Sequence, residues 1–311
     1  MAGRVWVVGS LNVDRGWRVP RHPGVGETVL GHALEPAPGG KGLNQAVAAC
    51  RMGADVSLVG CVGDDDEGRW LSGLAAEYGI DTSALTVTTA ARTGSALIVI
   101  DAEGANTVIV DASANATFTL DAPLGVARGD IVVAQLEVQP GVVATAFAEA
   151  HQVGARTLLN PSPPGTGRSV LAGADIVVVN QSEACELAEE ASTAETSEQA
   201  LDQARAIGVG DQAVVVTLGA AGVVAAGPEG AVTLPGVTVA VVDTTGAGDC
   251  FLGVLAAALV AGSSLASALE RANRASALAV TRMGTVAAMP TAAELDAASP
   301  GVVGPAPPLA P

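Results

Sequence analysis

The sequence predicts an α/β protein with a mainly parallel sheet covered by helices on both faces. Short β-branched runs alternate along the chain with stretches of helical length, the pattern that parallel strands demand because each crossover carries a helix. Two glycine-rich runs, 39–46 and 243–249, open into helix-like stretches, at the kind of junction where such sheets hold ligands. At 311 residues and 49% hydrophobic content the chain is long enough to bury one large core.

Strands are expected in order over 5–8, 56–60, 131–134, 157–159, 176–179 and 213–217, each a short apolar run rich in valine, isoleucine or leucine. Helices are expected over 45–52, 66–78, 141–151, 183–188 and 199–207. Asp64, Asp65 and Asp66 stand at the start of the second of these, where capping and pairing with the helix dipole explain them better than a metal site. The alternation breaks over 17–33, which carries Pro and Gly. It breaks again at two β-like runs, 93–101 and 106–111, joined by the turn Ala102-Glu103-Gly104-Ala105. A β-like stretch over 237–242 then leads through 243–249 into a long apolar stretch over 251–261. That stretch falls short of the ~20 residues needed to span a bilayer and reads as a buried core helix. The Pro-, Gly- and Ala-rich end, 299–311, reads as a disordered tail, leaving 1–298 as one domain.

Composition bounds the function. A net charge of −17 argues against a nucleic-acid surface, which needs clustered Lys and Arg. The start of the chain has one Arg and a short apolar run that meets Asn12 and Asp14 too soon for a signal peptide, so neither membrane nor export is expected. Cys50, Cys61, Cys185 and Cys250 lack metal-ligand spacing and read as buried thiols in a reducing, cytoplasmic compartment. His22, His32 and His151 offer neither a zinc site nor a triad. Gly208-Val209-Gly210-Asp211-Gln212-Ala213 fits GxGxxA but precedes a strand instead of opening a helix, so it fails as a dinucleotide fingerprint.

The chemistry concentrates in Asp243-Thr244-Thr245-Gly246-Ala247-Gly248-Asp249. Small residues let backbone N–H groups converge on an anion, the following helix dipole adds to their pull, and Asp249 stands beside the place where charge would build up. Hydrogen-bond donors for a phosphoryl group beside an acceptor for a hydroxyl proton describe a kinase site, although the same residues also suit a tight turn with a capping Asp. Upstream lies Gly39-Gly40-Lys41-Gly42-Leu43-Asn44-Gln45-Ala46. Lys41 is the only lysine in the chain, and its compact charge suits a hydroxyl or phosphate in a cramped loop, or else an exposed turn. Glu35 and the lack of Ser or Thr after Lys41 exclude a Walker A loop. Asn12 and Asp14 follow the first strand, where they suit a polyol or form an Asx turn; Asn44 suits the same ligand or caps a helix.

Together the two runs resemble the signatures of the ribokinase or PfkB-type family of sugar and nucleoside kinases. Gly39, Gly40, Gly42, Asn44, Ala46, Gly53 and Gly63 carry the first, and Asp243 to Asp249 the second. The likeness extends to Gly9-Ser10-Leu11-Asn12-Val13-Asp14, Gly26-Glu27-Thr28, Asn180-Gln181-Ser182-Glu183 and Thr217-Leu218-Gly219-Ala220-Ala221-Gly222, so it spans about residues 4 to 290.

The resemblance implies a three-layer sandwich with a small β-sheet lid from segments about 13–35 and 91–118, the lid also serving as a homodimer contact. It implies that Asn12, Asp14, Gly40, Lys41, Asn44 and Glu137 bind the sugar, Glu137 being otherwise a solvated loop carboxylate. Asn180, Thr217, Gly219, Gly222, Gly248 and Asn273 would border ATP, and Glu183 would help hold Mg²⁺ through water. Asp249 would take the proton from a primary sugar hydroxyl while the amides of Gly246, Ala247 and Gly248 stabilise the transferring phosphoryl group. K⁺ activation would draw on Asp243, Thr245, Val280 and Gly284. Ala288 stands where the family often offers a hydroxyl. D-ribose is the expected substrate, with another sugar or nucleoside as the alternative because of Arg15 and Trp17. A non-catalytic sugar-binding regulator on the same fold is a further one.

Overall fold

The computed structural model describes residues 3–164 and 170–298; the expected tail, 299–311, lies outside them. Strand β1 (Val5–Val8) is wholly buried because its side chains alternate between two cores. Val5 and Val7 enter one, Trp6 and Val8 the other. The chain then leaves the main sheet through β2 (Asn12–Arg18), β3 (His32–Ala33) and β4 (Ala37–Gly39). It returns by α1 (Lys41–Arg51), β5 (Val56–Gly63), α2 (Asp66–Glu77) and β6 (Leu85–Thr88). Strands β7 (Gly94–Ile100) and β8 (Asn106–Asp111) complete a small second sheet, and the short α3 (Ala114–Thr117) leads back.

Next come β9 (Ile131–Gln135), α4 (Pro140–Val153), β10 (Arg156–Asn160), β11 (Ile176–Asn180), α5 (Gln181–Leu187), α6 (Ser197–Ile207) and β12 (Ala213–Thr217). A hairpin, β13 (Gly222–Gly227) and β14 (Gly230–Pro235), precedes α7 (Ala247–Val260), α8 (Leu265–Ala279) and α9 (Ala292–Ala297).

The main sheet has the order β14-β13-β12-β11-β10-β9-β1-β5-β6, parallel except for the β12–β13–β14 edge. Leu43 of α1, Leu71 of α2, Leu255 of α7 and Leu269 of α8 fill the core on one face. Phe147 of α4, Ala184 of α5 and Ala204 of α6 fill the other, which makes a three-layer sandwich. The small sheet, in the order β3-β2-β7-β8 with β4 also on β2, forms the lid. No helix among the described residues is long and apolar enough to cross a membrane.

Helix ends follow local chemistry. Asp65 caps α2 by accepting from the Gly68 amide at 2.8 Å, and Gly154 closes α4 in the left-handed conformation that its φ of 75° requires. Several expectations need correction. The stretch 237–242 is not a continuous strand, and Val241 and Val242 are exposed; valines 237, 239 and 241 are apolar because they wall a cleft. The glycine-flanked edge hairpin β13–β14 gave no comparable signal. Both site helices begin earlier than apolar periodicity indicates, because glycines occupy their first turns: α1 starts at Lys41, and α7 at Ala247. Cys61 and Cys250 are buried, whereas Cys50 and Cys185 are partly exposed.

Candidate active site

Gly246 is the N-cap of α7 at φ 73°, a left-handed position where a Cβ would lie 2.3 Å from Thr285 Cγ2. Glycine is therefore needed both for the turn and for its approach to 285. The turn points the first amides of α7 into a cavity of about 200 Å³ lined by Lys41, Asn160, Asn180, Glu183, Thr217, Thr244 and Gly246 to Asp249. Among the described residues the amides of Gly246 and Gly248 have no acceptor, while that of Ala247 donates to the Thr244 carbonyl at 3.2 Å. Two free amides at the positive end of a fourteen-residue helix are suited to receive an anion.

Asp249 is 7% exposed, and both its carboxylate oxygens are held from α1. Asn44 Nδ2 donates to Oδ2 at 2.9 Å and Gln45 Nε2 to Oδ1 at 2.9 Å. The helices approach this closely because Gly253, one turn beyond Asp249, carries no side chain; a Cβ there would lie 2.4 Å from the Gln45 carbonyl oxygen. Asn44 does not cap α1, whose N-cap is Gly40 at φ 90°. Its Oδ1 is buried with no partner among the described residues.

The sugar-facing candidates meet at the same place. Glu137 follows β9 and accepts from the Ser10 hydroxyl and, at 3.1 Å, from the Lys41 amide in the first turn of α1, so it is fixed rather than a loosely solvated carboxylate. Asn12, 3% exposed, accepts from Asn115 Nδ2 at 2.8 Å. Asp14 lies against Gly39, where a Cβ would stand 2.2 Å from its Oδ2. Burial, with Glu137 and Asp249 nearby, pushes the Asp14 carboxyl up to about 7. Burial works against the Lys41 ammonium, yet Asp249, Glu137 and Glu183 outweigh it, and Lys41 holds its proton more tightly than a free lysine.

A second cavity, of about 400 Å³, adjoins the first through shared walls at Thr244 and Ala247. Gly219, Val237, Val239, Asn273, Ala277 and Val280 line it. Asn273 lies on α8 and donates to the Pro235 carbonyl at 2.9 Å. Gly222 lines neither cavity; at φ 105° it lets β14 pass, since a Cβ would stand 2.1 Å from Leu234 O.

Asn180 and Glu183 form a capping box on α5. Asn180 Oδ1 accepts from the Glu183 amide at 2.9 Å, and Glu183 Oε2 from the Asn180 amide at 2.9 Å. The capped Glu183 still lines the first cavity, so its carboxylate suits a water-mediated hold on a cation carried by phosphates. Among the described residues no cluster of three His, Cys, Asp or Glu could hold a metal by itself.

Asp243 accepts from the Thr245 amide at 2.9 Å and the Gly284 amide at 3.0 Å. Although burial opposes it, these bonds hold its carboxyl below the ordinary range. The Val280 carbonyl accepts two amides, from Val242 at 2.8 Å and Asp243 at 3.2 Å, which uses both its lone pairs. Ala288, nearly buried, adds no side-chain oxygen.

Sequence reasoning missed Gln45 and Asn160. Asn160, Asn180 and Thr217 end the successive strands β10, β11 and β12, so a search for polar residues at the carboxyl ends of expected strands finds all three. No such signal singles out Gln45.

The family model for pfkB carbohydrate kinases matches residues 2–292. The chain belongs to that family. This carbohydrate kinase is 35% identical over 305 residues to the ribokinase of Staphylococcus aureus (strain COL), covering 95% of this chain and 99% of that one. Among solved structures it resembles Arabidopsis thaliana ribokinase complexed with ribose and ATP, at a TM-score of 0.84 and 28% identity over 95% of this chain and 98% of that one. It also resembles the ribokinase of Cryptococcus neoformans var. grubii serotype A in complex with ADP, at 0.82 and 29%, over 94% and 99%.

Proposed function

We propose that this kinase is an ATP-dependent ribokinase that transfers the γ-phosphoryl group to the primary hydroxyl of D-ribose, giving ribose 5-phosphate. The observation that carries the reading is Asp249. It is a nearly buried carboxylate in the first turn of α7, with open amides on its phosphate side and Asp14, Glu137 and Asn44 on its sugar side. Asp249 takes the hydroxyl proton as that oxygen attacks the γ-phosphorus, and the Gly246 and Gly248 amides receive the developing charge. Ala247 contributes less, because its N–H already donates to Thr244. Lys41, held cationic, approaches the transferring phosphate.

Asp14 and Glu137 accept sugar hydroxyls, while Asn44 Oδ1, without a partner among the described residues, and the Asn12 amide complete the polyol contacts. The base of ATP fits the second, more apolar cavity beside Gly219 and Asn273, with its phosphates in the first beside Asn180 and Thr217. Mg²⁺ bound with ATP supplies charge neutralisation across the phosphates, and Glu183 would hold it through water. K⁺ activation is part of the proposal. With the Val280 carbonyl doubly used, Asp243 and the carbonyls of Thr245 and Gly284 would hold the ion.

We further propose that 1–298 form one kinase domain with lid segments 13–35 and 91–118, cytoplasmic in keeping with four free thiols. We take the protein as a homodimer through the lid, supported by β8, an edge strand exposed along its whole length with Val108, Ile109 and Val110 uncovered. The regulator alternative loses ground because base, amides and both cavities are intact. ADP release from MgATP, assayed with D-ribose, deoxyribose, fructose and nucleosides, tests the assignment. Ribose should give the highest kcat/KM, and turnover confined to another acceptor would overturn the choice of sugar.

A further inference from the structure

We infer that Gln45, locked by Gln135, is a positioning residue that aims the Asp249 carboxylate at the attacking hydroxyl. The inference rests on Asp249 being the base.

A carboxylate on a short side chain can rotate about its last bond, and a base that rotates presents its lone pairs to the hydroxyl only part of the time. Here rotation is blocked from both ends. Asn44 Nδ2 occupies one lone pair of Oδ2 and Gln45 Nε2 one of Oδ1, each at 2.9 Å, which fixes the carboxylate plane and leaves the opposite lone pairs open. Both donors are neutral amides. An arginine in either place would clamp the carboxylate more strongly but would also lower its appetite for a proton.

Gln45 has its own orientation problem, since either end of its amide fits the same space. The Asp249 carboxylate only accepts and so takes the NH₂ end at 2.9 Å, and Gln135 Nε2 holds that arrangement by donating to the remaining Gln45 Oε1 at 2.6 Å. Both glutamines are fully buried, and Gln135 Oε1 has no partner among the described residues. That oxygen sits 2.0 Å from where a Cβ on Gly9 would stand, so the glycine after β1 makes room for it. A buried amide with one end unsatisfied lowers stability, and an apolar pair of similar shape would pack there without that penalty. A local rule broken in the core, two hydrogen bonds removed from Asp249, marks a functional constraint.

The test compares kcat, ribose KM and melting temperature for Gln45→Leu, Gln135→Leu and the double variant, in the wild-type and Asp249→Asn backgrounds. The expected result is a fall in kcat of about tenfold or more for Gln45→Leu, with ribose KM changed less than about twofold. Gln135→Leu should fall less, and the double variant should match Gln45→Leu. In the Asp249→Asn background the Gln45 change should have almost no further effect, because there is no base left to aim. The double variant replaces both partners by apolar groups, so it carries the test if a single variant fails to fold. Wild-type kcat in the folded variants, or an equal loss with and without Asp249, would overturn the inference. Full turnover by Asp249→Asn alone would instead overturn the assignment of the base.

Discussion

Asp14 offers the sharpest link between this fold and a solution measurement. Its carboxyl lies against Gly39, is half-buried, and stands within reach of the charges on Glu137 and Asp249, which together raise it from 3.8 to about 7. An ionised Asp14 accepts two hydroxyl protons from a polyol, whereas a protonated one must donate its own and accepts less well. Ribose binding should therefore select the ionised form. With titration near 7, about a tenth of the sites are ionised at pH 6 and nine tenths at pH 8, so affinity should rise roughly tenfold over that range, or about 1.4 kcal/mol. Calorimetry without nucleotide reads this directly. In Asp14→Asn the affinity should be weaker throughout and flat with pH. Wild-type affinity unchanged between pH 6 and 8 would refute the reasoning.

The same shift has a stability consequence of defined sign. The native state keeps the Asp14 proton up to about 7, while the unfolded chain releases it near 3.8, so the native state binds more protons between those values. The contribution of this group is present below the lower value and is lost as pH rises through the window. Asp14→Asn should consequently melt higher than wild type at pH 8 and gain less at pH 5.

Gly253→Ala would place a Cβ 2.4 Å from Gln45 O and 2.5 Å from Ala48 Cβ; forcing α1 from α7 should destabilise the fold by about 1–3 kcal/mol in chemical denaturation and lower kcat more than ribose affinity. Ile109→Lys on the exposed edge strand should convert a dimer to a monomer in light scattering, and an unchanged mass would remove the lid as the interface. Asp243→Asn should abolish any stimulation of turnover by K⁺ relative to choline, and equal wild-type rates in both salts would remove the cation from the account.

Much of the architecture was legible because parallel strands buried on both faces advertise themselves as short apolar runs, as β1, β9 and β12 do. The edge hairpin β13–β14 was not, since glycine and alanine carry little β signal, and the stretch 237–242 imitated a strand while its valines 237, 239 and 241 serve as a cleft wall. At the site, Lys41, Asn44 and Asp249 announced themselves through glycine neighbours: a Cβ on Gly40 or Gly42 would meet the Ser10 backbone at 2.7 Å, and Gly246 takes a left-handed turn. Gln45 was silent because its partners, Asp249 and Gln135, are distant in sequence and meet it only through the packing of α1 on α7. Likewise Asn180-x-x-Glu183 suggested a metal ligand, and the fold makes the pair a capping box whose acidic member still lines the cavity beside Gly246 to Asp249.

The most direct test of the central claim is steady-state ADP release from MgATP and D-ribose by wild type and Asp249→Asn, with nucleotide affinity measured alongside. Ribose-dependent turnover is expected in the wild type and a loss of at least about a hundredfold in the variant, with ATP binding nearly unchanged. Ribose turnover that survives the loss of Asp249 would contradict it.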